Sequence, residues 1–85
     1  METFSYIVQD KQGIHTRPAG LLVNEAKRFA SRITLACGDK EAEGSKLFAV
    51  MALGVKHGQQ LEVTVDGPDE AEAMQAIKDF LQSNL

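Results

Sequence analysis

Two spacings of apolar residues alternate along this chain, and their order constrains the fold more than any other feature of the sequence. Three segments have apolar residues at every second position, which is typical of a strand with one buried face. These residues are Phe4, Tyr6 and Val8, then Ile33, Leu35 and Cys37, then Leu61, Val63 and Val65. The polar segment Lys40 to Glu43, which follows a Gly38-Asp39 turn, predicts a short strand at the edge of a sheet.

Three other segments have apolar residues three or four positions apart, as amphipathic helices do. They contain Ala19, Leu22, Val23, Ala26 and Phe29, then Leu47, Val50, Met51 and Leu53, then Ala73, Met74, Ile77, Phe80 and Leu81. We expect Thr16, Ser45 and Asp69 to cap these helices, because short polar side chains accept hydrogen bonds from the free N–H groups of a first turn. Gly54 is expected to end the second helix.

The resulting order of elements is β-α-β-β-α-β-α. Strands with one apolar face in this order predict an α+β fold, in which helices cover one side of an antiparallel sheet. Periodicity alone leaves a ferredoxin-like arrangement nearly as well supported. The sequence contains no internal repeat, linker or low-complexity segment, so we expect a single domain over residues 1–85.

Composition argues against several classes of protein. The formal net charge of −3 gives nucleic acid no general attraction to this chain. The single cysteine, Cys37, excludes a disulfide within the chain, and two histidines and one cysteine at unrelated spacings make no metal-ligand set. The longest apolar run, residues 47–55, is far shorter than the ~20 residues of a membrane-spanning helix. Residues 1–4 do not resemble a signal peptide. We therefore expect a cytoplasmic protein with no cofactor, metal, nucleic-acid partner or membrane insertion.

The segment Gly13-Ile14-His15-Thr16-Arg17-Pro18 brings an imidazole and a guanidinium to the predicted start of the first helix. Gly13 is expected to give a flexible approach, and Pro18 suits a first turn because its fixed φ is already helical. The free N–H groups and the roughly half positive charge of a helix N-terminus favour an anion there. His15 is therefore a candidate nucleophile for a phosphoryl group, with Thr16 and Arg17 as candidate ligands of its oxygens. A histidine at a helix start without such neighbours is more often an ordinary surface residue.

With its surroundings, this segment resembles the active-site segment of HPr, the histidine-containing phosphocarrier proteins of the bacterial phosphotransferase system. The resemblance runs from residues 13–19 through the apolar stretch 47–54 to the approach to the last helix, residues 66–70, and covers essentially the whole chain. It implies an HPr-like open-faced β-sandwich, with four antiparallel strands covered on one face by three helices. It also implies a phosphocarrier rather than an enzyme: His15 would accept a phosphoryl group on Nδ1 from phospho-enzyme I and pass it to enzyme IIA domains for sugar uptake.

The resemblance further implies a partner surface beside His15. The residues carried over as contacts to enzyme I and the IIA domains are Thr16, Arg17, Gly20, Leu47, Phe48 and Met51. From the residues alone, Leu47 is more simply explained as core. Phe48 and Met51 differ, because a helix of two turns cannot bury its whole apolar run on one side. An exposed phenylalanine beside an adaptable methionine suits a surface that docks several partners.

One position departs from the family pattern. Many HPr proteins carry a regulatory serine where this chain has Lys46, and here Ser45 precedes that position. Ser45 is therefore a candidate for phosphorylation by an HPr kinase/phosphorylase only if the kinase tolerates the shift, and helix capping is its simpler role. His57 lies in a polar turn and is expected to be a solvated loop residue.

Two alternatives stay open. The chain could be a regulatory protein-binding module on the same fold, which controls other proteins without carrying phosphate on histidine, but such a module needs neither His15 nor Arg17. A transcriptional regulator is a further possible partner of the chain. It could also belong to the nitrogen branch of these phosphocarriers, although Thr16 and the Leu47-Phe48 pair resemble the sugar branch more closely. Size and resemblance together imply a monomer.

Overall fold

The computed structural model describes residues 1–85, and its elements follow the predicted order β-α-β-β-α-β-α. The strands are β1 (Glu2–Ile7), β2 (Arg32–Cys37), β3 (Lys40–Glu43) and β4 (Gln60–Asp66), and the helices are α1 (Thr16–Ala26), α2 (Leu47–Ala52) and α3 (Glu70–Asn84). The strands form one sheet in the order β1-β4-β2-β3, and every neighbouring pair is antiparallel. These elements confirm the α+β open-faced sandwich, including the short polar strand β3 at the sheet edge.

The core lies between the sheet and the helices. β4 is a central strand, and its alternate residues Leu61, Val63 and Val65 are completely buried. Val63 is in register with Phe4 of β1 and Leu35 of β2, so apolar side chains form rows across the helix-covered face of the sheet. The strand periodicity in the sequence thus identified the correct buried face.

The long helices bury the stripes that their spacing predicted. The fully buried members are Ala19, Leu22, Val23 and Ala26 of α1 and Ala73, Met74, Ile77 and Leu81 of α3. Two predicted members are only half-buried: Phe80 on α3, and Phe29, which lies beyond the last residue of α1. Gly54 ends α2 as expected, since it follows the C-cap Leu53 with a φ of +63°. No helix combines the length and the apolar character that a membrane crossing requires.

The predicted capping side chains are wrong for all three helices. α1 begins at Thr16 itself, because His15 remains extended (φ −122°, ψ −174°) and occupies the N-cap position. α2 has Lys46 at its N-cap, since the Lys46 N–H bonds to the Glu43 carbonyl at 3.0 Å and Ser45 therefore lies inside a turn. Asp69 does occupy the N-cap position of α3, but its carboxylate makes no capping bond there.

The Asp69 carboxylate instead joins the start of α3 to the connection between α1 and β2. It accepts hydrogen bonds from the backbone N–H groups of Ala30 and Ser31, both at 2.9 Å, and from the Ser31 hydroxyl. The Ser31 hydroxyl, followed by the Ala30 N–H, holds the pKa of Asp69 below its ordinary value, because these donors favour the charged carboxylate.

Asp69→Asn is expected to lower the Tm near pH 7 by roughly 5 °C or more, since a neutral amide is a weaker acceptor for these donors. Because the folded pKa of Asp69 is depressed, its contribution is fully present above the unfolded value of 3.8 and is lost as the pH falls through the lower folded value. Thermal unfolding of both proteins from about pH 7 to about pH 2 should therefore show the Tm difference shrinking in acid. Asp39→Asn, in the exposed β2–β3 turn, is the control; a Tm difference independent of pH would contradict the assignment.

Candidate functional site

The approach to His15 is closely packed. Gly13 has a φ of +68°, and a Cβ at this position would lie 2.3 Å from the carbonyl oxygen of Val55 and 2.7 Å from Cα of Lys56. The neighbouring Ile14 is buried, and its N–H donates to the same Val55 oxygen at 3.0 Å. Gly13 therefore permits a close backbone approach and does not provide flexibility, which corrects the sequence-based expectation.

The imidazole of His15 projects from the N-cap position of α1. Its side chain is 40% exposed and makes no capping hydrogen bond. The first helical N–H that finds a backbone partner belongs to Ala19, which donates to the His15 carbonyl at 2.9 Å. Pro18 has no N–H, so the N–H groups of Thr16 and Arg17 are the free donors of this turn. A half-exposed nucleophile thus lies beside the positive end of a helix dipole.

A shallow cleft of about 210 Å³ opens beside the imidazole, and its lining residues are Asp10, His15, Arg17, Pro18, Leu21 and Asn84. The Arg17 side chain is exposed and makes no ion pair or hydrogen bond, so its guanidinium is available to a ligand. The fork of guanidinium N–H donors matches the oxygens of a phosphoryl group. The structure therefore places His15 and Arg17 on one cleft, whereas Thr16 lies between them in the sequence, at the start of α1, but does not line the cleft.

Sequence reasoning missed three residues of this cleft, namely Asp10, Leu21 and Asn84. Asp10 returns toward His15 through a tight turn, in which the Gly13 N–H donates to the Asp10 carbonyl at 3.0 Å. The carboxylate oxygen Oδ1 of Asp10 then lies 4.0 Å from Nε2 of His15. Asn84 comes from the last turn of α3. For Asp10, the only local signal in the sequence is the Asp-x-x-Gly pattern of a turn. The position of Asn84 depends on packing between distant segments.

The residues of the expected partner surface differ in how far their side chains are exposed to solvent. Phe48 on α2 is 82% exposed, which confirms its position off the buried stripe. Leu47 and Met51 are half-buried and pack against the core with part of their surface, so each offers only an edge to solvent. Gly20 lies on α1, which packs against α2, and has open space where a side chain would be. We define Gly20, Leu47, Phe48 and Met51 as the apolar patch.

Ser45 and His57 lie apart from this site. Ser45 is half-buried in a second cleft of about 450 Å³, lined also by Lys27 and Arg32, and no residue of that cleft borders the first one. His57 is exposed in the turn before β4, as expected. No group of three or more His, Cys, Asp or Glu side chains is arranged to hold a metal ion.

An open-faced sandwich that presents a histidine and an arginine at one helix N-terminus defines the class of small histidine phosphocarrier proteins. The family model described as "PTS HPr component phosphorylation site" matches residues 2–83 of this chain. The chain therefore belongs to the HPr family of phosphotransferase-system phosphocarriers.

Individual relatives agree with this assignment. The chain is similar to the phosphocarrier protein HPr of Mycoplasma capricolum, with 41% identity over 78 residues, which is 92% of this chain and 88% of the relative. It superimposes on the solved structure of a Mycoplasma histidine-containing phosphocarrier protein with a TM-score of 0.94 and 38% identity, over 96% of this chain and 93% of the other. A domain-swapped, intertwined dimer of the catabolite-repression protein Crh of Bacillus subtilis matches with a TM-score of 0.78 and 32% identity, over 92% and 90% of the two chains.

Proposed function

We propose that this phosphocarrier accepts a phosphoryl group from phospho-enzyme I on His15 and passes it to enzyme IIA domains of sugar permeases in the cytoplasm. The observation that supports this function best is the half-exposed imidazole at the N-cap of α1, with the free N–H groups of Thr16 and Arg17 and the unpaired Arg17 guanidinium beside it.

The chemistry needs few groups. A ring nitrogen of His15 forms a bond to phosphorus with its lone pair, while the bond between phosphorus and the donor's leaving group breaks. The N–H groups of Thr16 and Arg17 and the guanidinium bind the phosphoryl oxygens, whose negative charge is favourable at a helix N-terminus. Because the same groups serve transfer in both directions, they allow the phosphoryl group to be passed on.

The direct test is labelling with enzyme I and radioactive phosphoenolpyruvate. We expect the chain to take up one equivalent of acid-labile, base-stable phosphate in the proteolytic fragment that contains His15. Acid-stable label, or label confined to a fragment that contains His57, would contradict the proposal.

The apolar patch, with Thr16 and Arg17, is proposed as the surface that docks enzyme I and the IIA domains. Phe48→Ala is expected to raise the KM of enzyme I for this chain about tenfold or more with little change in kcat, because a large exposed aromatic side chain is the kind of anchor that dominates an interface. Its free energy of unfolding should change by less than about 0.5 kcal/mol, since the ring is exposed.

Ile7→Ala is the matched control for Phe48→Ala. Ile7 is also an exposed apolar residue, but it lies on β1, away from α1 and α2. We expect its KM to equal that of the unmodified chain. Equal KM values for the two variants would remove Phe48 from the docking surface.

A regulatory role is the second candidate, and the likeness to the catabolite-repression protein Crh favours it. Ser45 is the proposed site of modification by an HPr kinase/phosphorylase, since Lys27 borders its cleft and could neutralise a phosphate. The other cation of the cleft, Arg32, forms an ion pair with Glu43 at 3.5 Å. Mass spectrometry after treatment with the kinase and ATP tests this, with Ser45→Ala as the control. We propose that the chain is a monomer, and sedimentation equilibrium distinguishes this from a dimer such as that of Crh.

A further inference from the structure

The carboxylate of Asp10 faces one particular nitrogen of the His15 ring. Its Oδ1 lies 4.0 Å from Nε2, too far for a hydrogen bond but within the range of an ion pair. Arg17 is the only other charged residue that lines the cleft, and Asn84 is uncharged. Neither ring nitrogen of His15 makes a hydrogen bond within the chain, and Asp10 Oδ1 is the only carboxylate oxygen within 4.0 Å of either nitrogen.

The backbone and the side chain of Asp10 are both held in place. Oδ1 accepts a hydrogen bond from the Gln12 N–H at 2.8 Å, and the Asp10 N–H donates to the backbone oxygen of Leu85 at 2.8 Å. The Asp10 carbonyl accepts from the Gly13 N–H at 3.0 Å. The side chain is only 31% exposed. These contacts fix where the carboxylate lies, so a negative charge beside the imidazole is a property of the loop.

We propose that Asp10 is a positioning residue for phosphoryl transfer, which keeps the proton on Nε2 and thereby leaves the lone pair on Nδ1. This inference rests on the proposed function of His15. In the forward step the Nδ1 lone pair forms the bond to phosphorus, while the bond between phosphorus and the leaving group of phospho-enzyme I breaks and that group keeps the electron pair. The phosphorylated ring, still protonated on Nε2, becomes positively charged. The negative carboxylate stabilises that charge and the Nε2–H bond.

Onward transfer reverses these changes without moving the ring proton. The P–N bond breaks, its electron pair returns to Nδ1, and the ring becomes the neutral Nε2–H form again, while the phosphoryl group goes to water or to the acceptor group of the IIA domain. A phosphorylated ring that has lost the Nε2 proton is a poorer leaving group. By holding that proton, Asp10 extends the pH range over which the phosphoryl group is passed on.

The test compares the rate of hydrolysis of the purified phosphoprotein across the pH range for the unmodified chain, Asp10→Asn and Asp39→Asn. Asparagine retains an oxygen for the Gln12 N–H, so folding should be preserved, and equal Tm values check this. We expect the alkaline limb of the Asp10→Asn profile to shift to lower pH by about half a unit. At a given pH on that limb, the hydrolysis rate should then be about threefold lower, as suits unit charges about 4 Å apart near solvent. Asp39→Asn removes the same charge from an exposed turn and should leave the limb unchanged.

Nitrogen-15 NMR of the unphosphorylated proteins gives an independent readout, because the ring nitrogens of His15 report which one carries the proton. The share of the Nδ1–H tautomer should increase in Asp10→Asn only. Superimposable profiles and unchanged tautomer shares would overturn the role of Asp10, whereas an unmodified chain that takes up no phosphate would instead refute the proposed function of His15.

Discussion

His15→Ala is expected to reduce phosphate uptake from enzyme I and phosphoenolpyruvate to background, a loss of at least ~10³-fold in rate. The reason is chemical, because alanine has no lone pair with which to form a bond to phosphorus. The fold should survive, since the His15 side chain is half-exposed and makes no capping hydrogen bond. We expect a change in the free energy of unfolding below about 0.5 kcal/mol. Labelling and urea unfolding on the same preparations separate these two effects.

The matched control for His15→Ala is His57→Ala. His57 is the only other histidine of the chain and is exposed in a turn, so its replacement should leave both labelling and stability unchanged. Label that persists on the His15 variant, or that disappears from the His57 variant, would show that the acceptor has been assigned to the wrong residue.

Gly13→Ala is expected to have the largest effect on folding, with a loss of about 3 kcal/mol or more in the free energy of unfolding. The backbone of Gly13 has a positive φ, and an added Cβ would lie 2.3 Å from the Val55 oxygen, so neither the conformation nor the packing can accept it. This loss is a large part of the total stability of a domain of this size. Equilibrium urea unfolding measures it.

Gly20→Ala is the companion variant. Gly20 is inside α1, and nothing lies within 4 Å of the position a Cβ would take. Alanine is the better helix former by about 1 kcal/mol, so this variant should be as stable as the unmodified chain or more so. Similar unfolding midpoints for the two glycine variants would contradict the close approach at Gly13.

The strands and their buried face could be predicted because burial against helices on one side produces a strict period of two. The observed register pairs Phe4 with Val63, and the buried face excludes only the registers that are shifted from it by one residue. The same argument identified Phe48 as exposed, since a short helix covers only one stripe of its surface. His15 and Arg17 were recognised because they are adjacent in sequence and share a helix start.

The helix starts could not be predicted in detail, because local capping preferences compete with contacts from distant segments. The extended conformation of His15 follows from the packing of residues 13 and 14 against Val55, and Asp69 is drawn to the backbone of Ala30 and Ser31. The sequence pattern of one segment does not show which distant residues it will contact. For the same reason the approach of Asp10 to His15, and the presence of Asn84 in the cleft, became evident only in the folded chain.

The apolar patch and the imidazole lie on the helices that cover one side of the sheet, and the chain offers a single acceptor ring at a single helix end. On the proposed docking surface, a phosphoryl donor and a phosphoryl acceptor would occupy the same area in turn and exclude each other. A carrier of this kind must bind and release each partner repeatedly. Tight binding to either partner would therefore lower the overall rate of phosphoryl transfer between them.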